Sequence, residues 1–249
     1  MNLAILAAGE SSRLKAEGLK IPKAMISING ETIIERIIRL SVSNGVSSIY
    51  CIINEEEQAL RDFFLKGDFQ VPVKLVIRTT ESSMHSLFSL AHYLSEEPFL
   101  LTTCDSVFDA SEFSKYVSSI KDSSVKDSSV KDSSANESQS CQGVLAVTQY
   151  IDDEKPLCVE MEGDCDITSF SDSKEGYKWA TGGIYYFSPG IFEMINKAHE
   201  LKISRLRNFL RLLLSSGYKL KGYPFSKIID IDHLSDIKAA GEFLMSLGT

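Results

Sequence analysis

Leu6-Ala7-Ala8-Gly9-Glu10-Ser11-Ser12-Arg13-Leu14 closes an apolar run that begins at residue 2, and Pro22-Lys23 follows it. Residues 2–7 read as a buried strand, and Ala8-Gly9 as the turn that leaves it. Small residues at 7–9 let the backbone approach a ligand, and the N–H groups of such a turn point beyond the carboxyl edge of a sheet. Arg13 adds a planar cationic fork and Lys23 a point charge. The combination describes a cradle for a triphosphate. It lacks both the G-K-[ST] of a P-loop and the third glycine of a dinucleotide fingerprint.

Downstream, strands and helices alternate. Apolar residues at helical spacing run over 31–40, and Gly45 stands where a helix C-cap belongs. Strands are expected at 48–53, 73–77 and 98–103, with helices at 55–66 and 83–95. This rhythm predicts a parallel sheet wrapped on both faces, in which ligands sit beyond the carboxyl ends of the strands. The second half reads as strands at 143–149, 183–187, 218–224 and 227–231, with helices at 189–200, 204–216 and 234–246. It has an α+β flavour and is grafted on the same sheet. The fold class is α/β, a Rossmann-like, mostly parallel mixed sheet in one domain over 1–249. Residues 121–135 repeat Lys-Asp-Ser-Ser-Val/Ala three times. Such a stretch offers almost nothing to bury and reads as a mobile insertion at about 121–142.

Composition narrows the function. The 249 residues carry 26 Lys+Arg against 34 Asp+Glu, a net charge of −8, which argues against broad nucleic-acid binding. No stretch approaches the roughly 20 apolar residues of a membrane span, and the N-terminus does not read as a signal peptide. Cys51, Cys104, Cys141, Cys158 and Cys165 form no C-x-x-C pair, and free thiols in a reducing cytoplasm are the expected state.

Asp105 closes the strand at 98–103. A carboxylate there costs desolvation unless it is paired or binds a cation, and a hard oxygen ligand suits Mg²⁺ on a triphosphate. The competing role is a helix N-cap, for which Asp109 is the better candidate. Asp230 and Asp232 alternate with isoleucine before the last helix, so in a strand both face one side. Gly182-Gly183 marks either a bulge or a backbone exposed to a ligand. The stripe Leu206, Phe209, Leu210, Leu213 reads as core, and Arg205, Arg207 and Arg211 as solvated.

These motifs resemble the nucleotidyltransferases that activate sugar phosphates, phosphocholine or molybdopterin with a nucleoside triphosphate. Their signature is L-A-[AG]-G-x-[GS]-[ST]-R-[LM] followed by P-K, and Leu6 to Leu14 with Pro22-Lys23 match every fixed position. The resemblance implies a GT-A-like fold and a nucleotide held by Leu6, Ala7, Ala8, Gly9, Glu10, Ser11 and Ser12. Arg13 and Lys23 would contact its phosphates, and Asp105 would be the metal aspartate. Residues 230–237 resemble the closing D-x-D-x-x-x-D-[LI] motif, in which Asp230 or Asp232 completes the Mg²⁺ site and Asp236 caps a helix. Residues 79–87 stand where the family reads the base. Ser83-Met84-His85 replaces the G-T-A of many uridylyl and thymidylyl enzymes, and the Ser86-Leu87 step is reminiscent of phosphocholine cytidylyltransferases. His85 is read as a base contact, a polar helix terminus or plain surface. Gly182-Gly183-Ile184-Tyr185 resembles the segment lining the acceptor pocket, with Lys178 and Lys174 as candidates for a second phosphate-binding lysine.

The implied reaction joins an NTP to a small phosphate- or phosphonate-bearing acceptor and releases pyrophosphate. A sugar 1-phosphate, phosphocholine or an aminoalkylphosphonate would serve, and no nucleic acid or membrane partner is expected. The alternatives are a GT-A glycosyltransferase and a non-catalytic nucleotide-binding module. Asp105 is followed by Ser106-Val107 rather than the D-x-D of the former.

Overall fold

A computed structural model describes residues 1–9, 11–128 and 141–248. In chain order its first half contains β1 (Asn2–Ala7), α1 (Ser12–Ala16), β2 (Ser27–Ile28), β3 (Glu31–Thr32), α2 (Ile33–Ser43), β4 (Ser48–Ile53), α3 (Gln58–Lys66), β5 (Val73–Ile77), α4 (Ser83–Leu94), β6 (Phe99–Thr103), β7 (Ser106–Phe108) and α5 (Ala110–Ser128). The second half contains β8 (Gly143–Thr148), β9 (Cys158–Glu162), β10 (Asp166–Ser171), β11 (Trp179–Phe187), α6 (Ile195–Glu200), α7 (Leu206–Ser215), β12 (Leu220–Phe225), β13 (Ile228–Asp230) and α8 (Leu234–Ser246).

All six residues of β1 are buried. Leu3, Ile5 and Ala7 belong to one core and Ala4, Leu6 and Ala8 to another, on the opposite face. A strand covered on both sides has no solvated face, so it reads as a continuous apolar run rather than an alternating one. The nine-stranded sheet runs β5-β4-β1-β6-β11-β8-β12-β10-β9. The first four strands are parallel, as the alternation of strands and helices requires. β11 is antiparallel to both β6 and β8, whereas β12 is parallel to β8. β9 pairs with β10 and returns to β11, so these last five strands close into a ring of pairings.

Several expectations are corrected. The strand expected at 183–187 begins at Trp179, which places the glycine pair inside β11 rather than at its start. Its register shifts between Thr181 and Tyr185. The β9–β10 hairpin was not anticipated. The helix expected at 189–200 divides into a 3-10 segment, Pro189–Met194, and α6. Arg207 and Arg211 are not simply solvated: both pair with Asp172, at 2.7 and 2.9 Å. α5 continues to Ser128, so the first Ser-rich unit and the start of the second are helical. Asp109 starts that helix by accepting from Glu112 N–H at 2.8 Å, and propagation past a formed first turn is inexpensive where no Gly or Pro intervenes. The remainder of the expected insertion, 129–140, lies outside the described residues, as does Glu10.

The expected α7 stripe is core, with Leu206, Phe209, Leu210 and Leu213 buried. Gly45 follows α2 at φ +86°, the left-handed conformation of a C-cap glycine. No described helix is long and apolar enough to cross a membrane.

Candidate active site

The site grows from the carboxyl ends of β1 and β6. These strands are parallel neighbours with Leu6 opposite Thr103, so the turn after β1 lies beside Cys104 and Asp105. Ser11, at φ 53°, turns the chain into α1, which carries Arg13. Pro22 leads into a short 3-10 segment beginning at Lys23, and the Lys23 N–H donates to Ser11 Oγ at 3.4 Å.

The second half of the chain reaches the same place through a two-stranded pairing. β13 lies antiparallel to β7, with Asp230 opposite Ser106, and the Ile231 N–H donates to Asp105 C=O at 2.9 Å. This stitch sets Asp230 and Asp232 beside Asp105, more than a hundred positions away in sequence. It requires close approach by β11. Gly183 sits at φ +73°, and a Cβ there would collide with Thr103 Oγ1 and Ser106 Oγ. A Cβ on Gly182 would collide with Ile228. The glycine pair thus creates a bulge that admits the aspartate-bearing strands.

Two recesses result. A cleft of about 560 Å³ is lined by the β1 turn (Leu6 to Gly9), Ser11, Ser12, Arg13, Lys23, Thr80 to Ser83, Ser86, Cys104, Asp105 and Asp232. The first residues of α1 and α4 are in its wall, and helix N-termini favour anions. A smaller recess of about 60 Å³ shares Arg13 and Asp232 with it and adds Tyr150, Asp152, Asp153, Glu154, Gly182, Asp230 and His233.

At the border between them, charges are interlocked. The Lys23 ammonium bonds to Asp232 Oδ1 and lies 3.4 Å from Asp105 Oδ2, while Arg13 Nη1 bonds to Asp232 Oδ2. Burial works against the charge on Lys23, but Asp105, Asp232 and Asp230 outweigh it and hold its pKa above the usual lysine range. Burial likewise opposes the Asp232 carboxylate, yet the bonds and charges of Lys23 and Arg13 keep its pKa below the ordinary value. Asp230 behaves oppositely. Burial, then the charges of Asp105 and Asp232, push its carboxyl well up, and Ser106 Oγ donates to it at 3.3 Å. Asp105 Oδ1 is buried with no hydrogen-bond partner among the described residues. Asp105 caps no helix; Asp109 does.

The structure therefore brings together Arg13, Lys23, Asp105, Asp232, Ser83 and the β1 turn, with Asp230 and Gly182 in the adjoining recess. His85 lines neither recess; its Nδ1 lies 3.0 Å from Ser82 Oγ at the start of α4. Lys178 and Lys174 are exposed and line neither. Sequence reading missed the run Tyr150 to Glu154, which carries no local pattern. Ser86, inside the segment expected to read the base but not among the named site residues, also lines the cleft, one turn beyond Ser82 and Ser83 on the same helix face.

Comparison with known proteins agrees with this geometry. The chain is 26% identical to the bifunctional protein GlmU of Methanocaldococcus jannaschii over 98% of its own length and 54% of that protein's. It is 27% identical to the bifunctional protein GlmU of Methanococcus vannielii over 48% of the chain and 28% of that protein. The chain thus spans about half, or less, of the curated relatives it matches. The fold is shared with the inositol-1-phosphate CTP transferase from T. maritima, at a TM-score of 0.75 and 19% identity, covering 98% of this chain and 94% of that one. A UDP-glucose pyrophosphorylase gives a TM-score of 0.76 at 15% identity, over 99% of this chain and 98% of the other. Residues 3–159 match the MobA-like NTP transferase domain, and over that span lie β1, the Arg13 and Lys23 loops and Asp105, so the chain is a member of that nucleotidyltransferase family.

Proposed function

We propose that the protein transfers a nucleotidyl group from an NTP to a small acceptor bearing a phosphate or phosphonate, releasing pyrophosphate. The observation that carries this is the interlocked border: two cations and two strand-end carboxylates, on loops from both halves of the sheet, face one cleft. The whole chain, 1–249, acts as one domain on this reading, because a single sheet draws on both halves. The five free thiols support a reducing compartment such as the cytoplasm.

The residues present fit Mg²⁺. Asp105 Oδ1 is an orphaned buried oxygen, and the Lys23 ammonium already stands as a cation between Asp105 and Asp232. Among the described residues no three His, Cys, Asp or Glu side chains are gathered closely enough to hold a metal alone. Mg²⁺ commonly takes one or two carboxylates and completes its shell with phosphate oxygens and water. Asp105 and Asp232 would hold it, with Asp230 behind them. When bound, it would neutralise charge on the triphosphate.

The chain's own residues perform the rest. The β1 turn and the first turns of α1 and α4 receive the nucleotide, whose phosphates draw Lys23 and Arg13 from their carboxylate partners. An acceptor phosphate oxygen is already ionised at neutral pH, so attack on the α-phosphorus needs no side-chain base. Catalysis is positioning together with neutralisation of charge that grows on pyrophosphate. Thr80 to Ser83 and Ser86 border the base, while the recess at Gly182 takes the acceptor. The relatives' names point to phosphorylated polyols and sugars, and phosphocholine-like acceptors share the reacting phosphate.

A screen of pyrophosphate release, crossing five NTPs with sugar 1-phosphates, inositol 1-phosphate, phosphocholine and aminoalkylphosphonates, tests the reading. One NTP–acceptor pair should release pyrophosphate only when a divalent metal is present. Protection from thermal unfolding by an NTP, with no release from any pair, would instead make the protein a nucleotide-binding module.

A further inference from the structure

Arg13 stands on a helix that cannot hold itself. α1 has five residues, barely more than one turn, and helices this short are unstable without tertiary support. Leu14 anchors one face in the core. The opposite support comes from Glu17, at the C-cap and four positions after Arg13, hence on the same face. Its carboxylate accepts from the Leu234 N–H at 2.8 Å and meets His233 Nδ1 at 2.5 Å. These partners follow Asp232, the residue that Arg13 itself grips.

The contacts form a two-point clip. One turn of α1 presents Arg13 and Glu17; the entry to α8 presents Asp232, then His233 and Leu234. The three successive N–H groups of this entry are satisfied by two carboxylates. Asp236 Oδ2 takes those of Asp232 and His233, at 2.9 and 2.7 Å, and Glu17 takes that of Leu234. An anion at a helix N-terminus, making charge-assisted bonds, is well placed to fix that terminus. On the far side of the imidazole, Glu154 lies 3.7 Å from Nε2. Glu17 itself lines neither recess.

We infer that Glu17 is a positioning residue for nucleotidyl transfer: by clipping α1 to the start of α8 it aims the Arg13 guanidinium at the nucleotide phosphates. This rests on the functional reading proposed above. A planar fork is useful only when its direction is fixed, and a misplacement of about an ångström is enough to lower turnover substantially. Glu17 acts through Arg13, so its effect should vanish when Arg13 is gone.

The test is a double-mutant cycle in the full chain, using the NTP–acceptor pair identified by the pyrophosphate screen. Glu17→Ala should lower kcat/KM by roughly tenfold, and Glu17→Gln, which keeps an oxygen for Leu234 N–H, by roughly threefold or less. In an Arg13→Ala background, Glu17→Ala should cost less than about twofold. Glu17→Gln, at a position that lines neither recess, takes the same cycle if Glu17→Ala folds poorly, and its smaller loss should likewise appear only where Arg13 is present. Wild-type kinetics for Glu17→Ala, or an equal loss with and without Arg13, would overturn the inference and leave Glu17 a purely structural tie. Asp105→Asn is measured alongside. Turnover surviving in that variant would count against the functional reading itself, whereas an inactive Asp105→Asn with an unaffected Glu17→Ala counts against the clip alone.

Discussion

The cleft at the end of β1 and the recess beside β11 share Arg13 and Asp232 but have opposite chemistry. The cleft is bordered by Lys23, by serine and threonine hydroxyls, and by two helix starts. The recess is bordered by Asp152, Asp153, Glu154, Asp230 and Asp236. One wall suits a polyanion; the other repels it. On the proposed function, an acceptor phosphate entering from the recess would be attracted by Arg13 at the shared border and by the neighbouring His233. The difference teaches that the two halves of the sheet contribute oppositely charged walls to one border. The parallel half lines the cleft that the proposed function gives to the nucleotide, and the β13–β7 pairing brings carboxylates to a seam that two glycines of β11 admit.

The largest effect should come from breaking that seam chemically. Asp105→Asn keeps shape and removes the strand-end charge. Turnover should fall on the order of 10³-fold, with unfolding temperature little changed because the residue lies at a sheet edge. Activity within tenfold of wild type would remove Asp105 from the metal site.

Lys23→Met probes the cleft side. It retains the apolar stem and deletes the ammonium shared by Asp105 and Asp232. If Lys23 offsets charge growing on pyrophosphate, kcat should fall by roughly 10²–10³ with a smaller change in KM for the NTP. A raised KM with unchanged kcat would make Lys23 a ground-state contact only.

Asp230→Asn probes the recess side, and its signature is stability. The folded protein holds this carboxyl well above its ordinary value through burial and the neighbouring Asp105 and Asp232 charges. A raised folded value favours the protonated form, so ionisation at neutral pH opposes folding. The stabilising share is present below the unfolded value, about 3.9, and is lost as pH rises through the folded one. In EDTA, Asp230→Asn should therefore unfold at a higher temperature than wild type at pH 7, with the gain shrinking as pH falls and gone below the unfolded value, about pH 4. A lower unfolding temperature at pH 7 would contradict the picture of a strained carboxylate kept for function.

The smallest effect is expected at His85. It lies outside both recesses and contacts Ser82. His85→Ala should change kcat/KM by less than about twofold, within the range of surface substitutions. A large loss with one NTP and not with others would restore it as a base contact.

What the sequence determined by itself was everything carried by local pattern. The uninterrupted apolar run of β1, its glycine turn, Arg13, Pro22-Lys23, Asp105 at a strand end and the α7 stripe depend on residues within a few positions of one another. Strand and helix periods and turn chemistry act over that range, so they are legible without the fold. Sequence reading also left Asp230 and Asp232 equivalent, because alternation puts both on one face. Tertiary structure separates them: Asp232 lies between Lys23 and Arg13, and Asp230 is tucked behind against Ser106. It also decided the β9–β10 hairpin, the function of Gly183 as a site of close approach, and the tie of Glu17 to His233 and Leu234. Each depends on partners distant along the chain, whose meeting is set by the packing of the whole sheet. No local period records which distant strand will arrive.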